Sequence, residues 1–372
     1  MTVETPTPAG ARLTIDLDAL AANWRAIAAR VAAPAVTAAV VKANGYGLGV
    51  AEVGAALRAA GCTTFFVALP GEGETLRAAV PDATIYVLCG LLPGSAPHLV
   101  AHDLRPVLGS MREIEEWVAR RVGPDARCAL HVDTGMNRLG LSVAEGLALA
   151  ARRDLVATIA PSLVISHLVI SEEATHPLNA VQLERFAKIA AAFEGVPASL
   201  ANTAGIYLGP EYHFDMVRPG IGNYGATPGP GVPVPLNTVV TAEAEVILVR
   251  EAAPGETVGY GGRAQLTRPS RIAILSAGYA DGYHRRIDTG PTQPRVFIRG
   301  AYAPLLGRVS MDLIAIDVTD IPGAARGDWA ELFGPNVPVD EVAGYSGTVG
   351  YELLTGLGRR YARRYRGLPG TP

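Results

Sequence analysis

Eight short apolar runs alternate with helical stretches over the first two thirds of the chain, and this alternation limits the possible folds most strongly. The runs are rich in β-branched residues and cover 36–43, 63–69, 84–89, 105–108, 128–133, 163–167, 198–202 and 215–218. The helical stretches between them include 50–60, 111–121, 143–153 and 178–193. Eight strands alternating with helices over about 200 residues are typical of an α/β protein, the TIM-type (β/α)8 barrel. An open doubly wound sheet usually has fewer strands and a glycine-rich first turn, which is absent here.

The pattern changes after a Pro- and Gly-rich segment, GATPGPGVPVPLN at 225–237, which we interpret as a linker. Alternating strand-like runs follow it, and helical periodicity is scarce before Val339. We therefore predict a (β/α)8 barrel at 17–238 and a mainly-β C-terminal domain at 239–372, which a strand at 11–16 could join. Residues 1–10 are polar and rich in Pro and Thr, and we expect a flexible leader there.

Charge, hydropathy and cysteine content argue against several classes of partner. The net charge of −3 gives no electrostatic reason to expect nucleic acid or an anionic membrane. No apolar run reaches the roughly 18 residues of a membrane span. The three cysteines are too few and too widely spaced for a disulfide framework or a metal knuckle. We expect a cytoplasmic protein, and no His/Cys/Asp cluster has the spacing of a catalytic metal site.

The residues that end each barrel strand are the candidates for chemistry, because barrel enzymes carry their active sites at the C-terminal ends of their strands. Strand one ends at Lys42, strand five leads to Arg138, strand six ends at His167 and strand eight at Arg218. The loops after strands seven and eight, where barrels commonly bind phosphate, carry Asn202, Thr203, Gly205, Gly220 and Gly222. Glycines let backbone N–H groups approach an anion, although they could also serve only to shape turns.

Lys42 is one of only two lysines in the chain. A lysine at an inward strand end is costly unless it is paired or used covalently, and burial lowers its pKa and makes it a nucleophile. Beside a phosphate site, such a lysine indicates pyridoxal phosphate, which carries both a phosphate and an aldehyde. The alternative is a side chain that extends to solvent. Lys188 follows Glu184 by four residues and is predicted to form an ordinary helix surface pair.

Eight segments of the chain carry a resemblance to a known family. They are VVKANGYGLG, HVDTGMNRLG, ISHLVISEE, DMVRPGIGNYG, ETVGYGG, AGYADGY, GRVSMDL and GTVGYELL. In this order they resemble the alanine racemases, pyridoxal-phosphate enzymes with a barrel and a β domain. The resemblance runs from about residue 13 to residue 365, which is nearly the whole chain.

The resemblance implies catalytic roles for matched residues. Lys42 would hold the cofactor as a Schiff base and act as one of two acid/base groups. Tyr260 of the partner subunit would be the other, so that a homodimer would share each site. Arg218 would face the pyridine nitrogen, and His167 would link Arg218 to Tyr260.

Binding roles are implied in the same way. The further cofactor-binding residues would be Tyr46, Asn202, Thr203, Gly220, Ile221 and Tyr351. Arg138 and the backbone N–H of Met311 would bind the substrate carboxylate, while Tyr279 and Arg285 of the partner chain would line the access path. Some relatives have a lysine, often carbamylated, where this sequence has His131, so another group must position Arg138. We interpret His131 as a core histidine.

The implied chemistry suits these residue types. Racemisation removes the α-proton on one face and returns a proton on the other, so two bases must flank the carbon. A phenol with a pKa near about 10 needs neighbours that favour its anion. An arginine, with a pKa above about 12, cannot readily protonate the ring, which weakens the electron sink and favours quick reprotonation over transamination.

The predicted function is interconversion of L- and D-alanine through a pyridoxal-phosphate aldimine, supplying D-alanine for peptidoglycan. One alternative is a racemase of another small amino acid, such as serine. A decarboxylase of this architecture would place an acidic residue where Arg218 stands. A non-catalytic pyridoxal-phosphate carrier would resemble the barrel alone. If Lys42 binds no cofactor, the remaining alternative is a barrel enzyme that acts on a phosphorylated sugar.

Overall fold

The computed structural model describes residues 9–120, 126–234, 237–289 and 292–367. The chain divides into two compact units, Leu20–Asn237 and Met1–Ala19 with Thr238–Pro372. The predicted leader at 1–10 lies outside the described residues, apart from Ala9 and Gly10. Gly10 already belongs to the folded part, because its carbonyl accepts a hydrogen bond from the Glu245 N–H at 2.8 Å.

The first unit is a closed barrel with eight parallel strand positions. Its strands are Val36–Thr37 continued by Ala39–Val40, Thr64–Val67, Thr84–Val87, Arg105–Leu108, Cys128–Asp133, Pro161–Ile165, Ala198–Ser199 and Met216–Val217. Neighbours pair in parallel from Ala39–Val40 to Ala198–Ser199. Met216–Val217 then pairs with Val36–Thr37, and a parallel bridge joins Asn202 to Arg218, which closes the barrel. The predicted (β/α)8 fold is confirmed.

Helices surround these strands. They are Leu17–Ala28, Val50–Ala59, Pro70–Ala79, Ala96–Ala101, Met111–Arg120, Val143–Ala151, Arg153–Ile159 and Pro177–Ala192, with short turns at Lys42–Tyr46, Ala204–Tyr207, Pro210–Tyr212 and Ile221–Tyr224. A two-residue strand, Leu141–Ser142, pairs with Cys128–Asp133. The helix predicted at 143–153 is two segments, because Arg152 leaves helical geometry with φ −86° and ψ 71°. Among the described helices, none combines the length and apolarity needed to cross a membrane.

The barrel strands are buried on both faces. Phe65 and Phe66 point to opposite sides of one strand, yet both are fully buried. Phe66 stacks on Tyr86 of the next strand, with ring centroids 5.0 Å apart. Helices cover one face and strand side chains fill the other, so the strands appear in the sequence as continuous apolar runs rather than alternating ones.

The second unit is mainly β, as predicted. Its strands are Ala11–Asp16, Val240–Ala252, Thr257–Val258, Ala264–Gln265, Ser270–Leu275, Arg295–Ile298, Ala301–Pro304, Ile314–Asp317, Trp329–Phe333 and Ala362–Arg366. Its helices are Val339–Tyr345 and Gly350–Thr355, with 3-10 turns at Tyr260–Gly262, Tyr279–Asp281 and Arg285–Thr289. Ala11–Asp16 lies between Val240–Ala252, to which it is antiparallel, and Ala362–Arg366, to which it is parallel.

Candidate active site

Lys42 opens a strained turn directly after the first barrel strand. Four consecutive residues, from Ala43 to Tyr46, have φ between 53° and 63°. Non-glycine residues rarely adopt this left-handed conformation, and such strain concentrates at functional sites. A residue of another element stabilises the turn: a carboxylate oxygen of Glu72, in helix Pro70–Ala79, accepts the Asn44 N–H at 3.0 Å. The sequence thus folds the chain sharply away from the strand just where the lysine emerges.

Lys42 is accessible to solvent, and protein atoms also surround much of its side chain, so the prediction of an inward lysine stays a prediction. The side chain is open to solvent on one side, but the surrounding protein still acts on its charge. Burial by these atoms is the first cause of a lowered Lys42 pKa, and the Arg138 charge lowers it further. The Glu72 carboxylate opposes both effects. The neutral, nucleophilic amine is therefore favoured relative to a free lysine.

Arg218 is a buried cation in the barrel. Its guanidinium donates to the Ser199 carbonyl at 2.8 Å, the Ser199 Oγ at 2.5 Å, the Ser166 carbonyl at 2.5 Å and the Leu200 carbonyl at 3.3 Å. These four acceptors are neutral oxygens, and burial lowers the Arg218 pKa to about 10. Arg218 therefore stays charged at neutral pH, and strands six and seven fix its position.

Two histidines share the barrel mouth with Arg218. His167 is half-buried, and its pKa falls to about 3 because of burial and then the charges of Arg218, Arg138 and Lys42. The His131 pKa falls to about 4, first through burial and then through Arg218. Both imidazoles are therefore neutral at physiological pH. His131 is half-buried and burial is the first cause of its lowered pKa, so its interpretation as a core histidine stays a prediction.

The loops after strands seven and eight form a compact cradle. The Gly220 N–H donates to Thr203 Oγ1 at 2.8 Å, and both residues are buried. A Cβ at Gly220 would lie 2.4 Å from the Tyr46 hydroxyl oxygen, so a larger residue there would force the Tyr46 side chain to move. Tyr46 stacks on Tyr224 with ring centroids 4.3 Å apart. The structure thus brings together Tyr46, Thr203, Gly220 and the adjacent Ile221, four of the residues predicted to hold the phosphate.

Asn202, the next member of this predicted set, has a structural contact of its own. Its Oδ1 accepts the Gly205 N–H at 2.9 Å and the Ser171 hydroxyl at 2.8 Å. These bonds shape the turn that follows strand seven. Asn202 therefore supports the cradle through the backbone that carries Thr203.

Gln182 connects two loops of the mouth, and sequence reasoning missed it. The side chain is fully buried in helix Pro177–Ala192. Its Nε2 donates to Thr134 Oγ1 at 3.0 Å and to the His167 carbonyl at 2.9 Å, while its Oε1 accepts the Val169 N–H at 2.9 Å. It ties the loop that leads to Arg138 to the strand end that carries His167. The one feature of the sequence that could have indicated this role is a polar glutamine at a buried position of the helix.

Arg138 is exposed on the loop that follows strand five. Asp133 shapes this loop, because its Oδ1 accepts the N–H groups of Gly135 and Met136 at 2.8 and 2.7 Å. Arg138 lowers the pKa values of both Lys42 and His167, which places its charge at the barrel mouth. The exposed guanidinium is suited to binding a carboxylate from solution.

The predicted site residues of the second unit are exposed. Tyr260 has 68% of its surface accessible, Met311 53% and Tyr279 38%. The loops of Tyr279 and Met311 are joined, since the Tyr279 N–H donates to the Ser310 carbonyl and the Ala280 N–H to the Met311 carbonyl, both at 3.0 Å. Tyr351 is half-buried in helix Gly350–Thr355.

A charged cluster fixes these two loops. Arg360 donates two hydrogen bonds of 2.7 Å to the buried carboxylate of Asp281 and one of 2.7 Å to Asp312. Asp281 also accepts the Gly278 N–H at 2.9 Å. Arg360 therefore connects Asp312, which directly follows Met311, to the turn that carries Tyr279. Sequence reasoning did not identify Arg360.

A (β/α)8 barrel whose mouth combines a lysine of lowered pKa, a buried arginine and the Thr203–Gly220 hydrogen bond has the features of an enzyme. The profile of "Alanine racemase, N-terminal domain" matches residues 15–228, and that of "Alanine racemase, C-terminal domain" matches residues 239–365. The chain belongs to the alanine racemase family.

Individual relatives agree with this assignment. An alanine racemase from Rhizobium meliloti is 49% identical over 370 residues, which cover 96% of this chain and 97% of the relative. A biosynthetic alanine racemase from Agrobacterium fabrum is 49% identical over 365 residues, covering 95% and 93%. The crystal structure of alanine racemase from Bartonella henselae with covalently bound pyridoxal phosphate has a TM-score of 0.90 at 38% identity, covering 96% and 100%.

Proposed function

We propose that this protein interconverts L- and D-alanine with bound pyridoxal phosphate. The observation that carries the proposal is the Thr203–Gly220 cradle, which faces Tyr46 in the same barrel mouth as Lys42 and Arg218. The family membership supplies the substrate, since the relatives are named alanine racemases.

The residues present fit this cofactor. Thr203 Oγ1 already accepts the Gly220 N–H, so its own hydroxyl hydrogen can donate to a phosphate oxygen. Glycine at 220 lets the Tyr46 hydroxyl approach the backbone of this loop closely. Arg218 offers a buried positive charge that four neutral oxygens orient. We propose that Thr203, Gly220, Ile221, Tyr46 and Tyr351 hold the phosphate, with Asn202 supporting the turn.

When bound, the cofactor withdraws the electron pair that deprotonation leaves at the substrate α-carbon. The lowered pKa of Lys42 suits an amine that attaches the cofactor covalently and then moves a proton at Nζ. Arg218, with a pKa of about 10, stays protonated. It would therefore not readily give a proton to the pyridine nitrogen of the cofactor. The neutral His167 adds no further positive charge to the mouth. Arg138 binds the substrate carboxylate.

We further propose that the second acid/base group is Tyr260 of the partner subunit, and that the protein is a homodimer. The exposure of Tyr260, Met311 and Tyr279 supports this, because three large side chains that stand out from one unit are available to complete another chain's site. In this arrangement the Met311 N–H would bind the substrate carboxylate and Tyr279 would line the access path.

The domain boundaries and the cellular role are proposals as well. The barrel at 17–238 would carry the cofactor, and the β domain at 239–372, completed by strand 11–16, would carry Tyr260. We propose a cytoplasmic enzyme that supplies D-alanine for peptidoglycan. The name of the Agrobacterium fabrum relative supports a biosynthetic role, although a 45% identical relative from Mesorhizobium japonicum is named catabolic.

Complementation between two inactive variants tests the shared site. Lys42→Ala and Tyr260→Phe chains are co-expressed with different affinity tags, and the heterodimer is purified on both tags. If Lys42 of one chain works with Tyr260 of the other, one of the two sites is intact, and the heterodimer recovers about half of the wild-type activity. If both groups come from the same chain, the heterodimer stays as inactive as its parents.

Proton exchange tests the substrate and the two bases. Exchange of the α-proton for deuterium is followed by NMR for L- and D-forms of alanine, serine and larger amino acids. We expect alanine to exchange fastest, with both enantiomers active. Rapid exchange of both enantiomers by Tyr260→Phe would contradict the two-base assignment, and exchange with no amino acid at all would indicate a carrier protein.

A further inference from the structure

Two histidines and a glutamate converge on the outside of the barrel. Glu74 lies in helix Pro70–Ala79, His98 lies in helix Ala96–Ala101, and His102 follows that helix directly. The Nε2 of His98 is 3.7 Å from a carboxylate oxygen of Glu74. The rings of His98 and His102 have centroids 4.5 Å apart, and one ligand atom from each of the three residues lies within 4.8 Å of the others. Within the described part of the chain, this is the one such group of metal-ligating side chains.

The spacing explains how two imidazoles come together. Residues four apart lie on one face of a helix, so His98 and His102 both face the neighbouring helix that carries Glu74. The two ring planes are inclined at 44° to each other, so the rings lie side by side at the end of the helix. Arg77 is the nearby cation, but its guanidinium pairs with Asp103 at 3.1 Å and donates to backbone carbonyls.

The donor set determines the class of ion. Two imidazole nitrogens and one carboxylate oxygen suit Zn²⁺ and its first-row neighbours, whereas Ca²⁺ and Mg²⁺ prefer oxygen ligands alone. Zinc bonds to these atoms are about 2.0–2.2 Å long. Ligand atoms within 4.8 Å of one another need only small side-chain rotations to reach one ion, and the exposed His98 and Glu74 side chains are free to make them.

We propose that Glu74, His98 and His102 form a surface site for a divalent first-row ion of the Zn²⁺ class, with solvent completing the coordination. The ion would join helices Pro70–Ala79 and Ala96–Ala101, which follow the second and third barrel strands. The site is distinct from a catalytic metal site, because none of its ligands belongs to the proposed active site. The proposal does not depend on the proposed function.

Calorimetric titration of the tag-free, metal-stripped holoenzyme with ZnCl₂ tests the site. We expect one strong site per chain, which His98→Asn and His102→Asn each weaken by at least about tenfold and Glu74→Gln weakens less. The matched control is His176→Asn, a half-buried histidine outside the cluster. It should leave zinc binding unchanged. Because an ion that joins two helices favours the folded state, zinc should also raise the melting temperature of wild type but not of His98→Asn.

Two results would overturn the proposal. One is the absence of a strong zinc site in the wild-type holoenzyme. The other is strong binding that persists undiminished in both histidine variants, which would place the ion elsewhere on the chain. Since none of the three residues takes part in the proposed chemistry, racemase activity serves as an independent check that each variant is folded.

Discussion

Thr203 offers a substitution that separates cofactor binding from stability. Its Oγ1 accepts the Gly220 N–H at 2.8 Å, and the side chain is only 3% exposed. Thr203→Val keeps the shape but removes the acceptor, which leaves a buried N–H unpaired. Thr203→Ser keeps the hydroxyl and removes one methyl group. The two variants therefore lose different parts of the same side chain.

The expected losses in unfolding free energy are similar. An unpaired buried N–H costs about 1–3 kcal/mol, and a lost buried methyl costs about 1 kcal/mol. Cofactor affinity should separate the variants instead. A hydrogen bond to a charged group contributes about 1.5–3 kcal/mol, so Thr203→Val should weaken pyridoxal-phosphate binding by roughly 10- to 150-fold. Thr203→Ser should stay within about threefold of wild type.

The assay has two measurements for each variant. Reconstitution of the cofactor-free protein, followed by absorbance, gives the dissociation constant, and urea denaturation of the same protein gives the stability. The reasoning is wrong if Thr203→Val binds the cofactor as tightly as wild type. It is equally wrong if Thr203→Ser binds as weakly as Thr203→Val, because the methyl rather than the hydroxyl would then matter.

Three further predictions concern other parts of the chain. The His167 pKa of about 3 lies below the unfolded value near 6.5, so stability is complete above pH 6.5 and falls as the pH drops toward 3. His167→Asn should remove up to about 1.4 kcal/mol per pH unit from this acid slope in urea titrations, and an unchanged slope would contradict the shift. Borohydride reduction of the holoenzyme should fix the cofactor on the Lys42 peptide and leave Lys188 unlabelled in mass spectra; label on Lys188 would refute the assignment. Arg360→Met should destabilise by about 1–3 kcal/mol, toward the lower end because Arg360 is half exposed, since it leaves the buried Asp281 carboxylate without its bidentate partner. Adding Asp281→Asn should recover part of the melting temperature, whereas additive losses would mean that the pair is not coupled.

The sequence was informative wherever the local environment of a residue determines its type. Barrel strands such as Thr64–Val67 are apolar throughout because both faces are buried, so periodicity was enough to find them. The meeting of Thr203 and Gly220 could also be predicted, because the loops after strands seven and eight lie side by side at the barrel mouth. In these cases the local pattern and the tertiary structure impose the same demand.

Other features depend on partners far away in the sequence. The left-handed turn after Lys42 relies on Glu72, and no local signal predicts positive φ at Ala43. Gln182 contacts Thr134 across 48 residues, so its role emerges only once the helix lies against the barrel. The exposure of Lys42 has the same origin, since burial at a strand end depends on which loops cover it.

The position of strand Ala11–Asp16 has a consequence for synthesis on the ribosome. This strand is made first, yet its neighbours Val240–Ala252 and Ala362–Arg366 are made only after all the barrel strands, and its Arg12–Glu243 ion pair spans 231 residues. Such contact order slows folding, because a long loop must close before the sheet gains its central pairing. The nascent strand must remain unpaired while the barrel forms. Its apolar side chains are then exposed, and chaperones could bind them. A fragment starting at residue 239 would lack this strand, which uncovers one edge of Val240–Ala252 and takes away the strand that pairs with Ala362–Arg366, so we expect it to aggregate rather than fold.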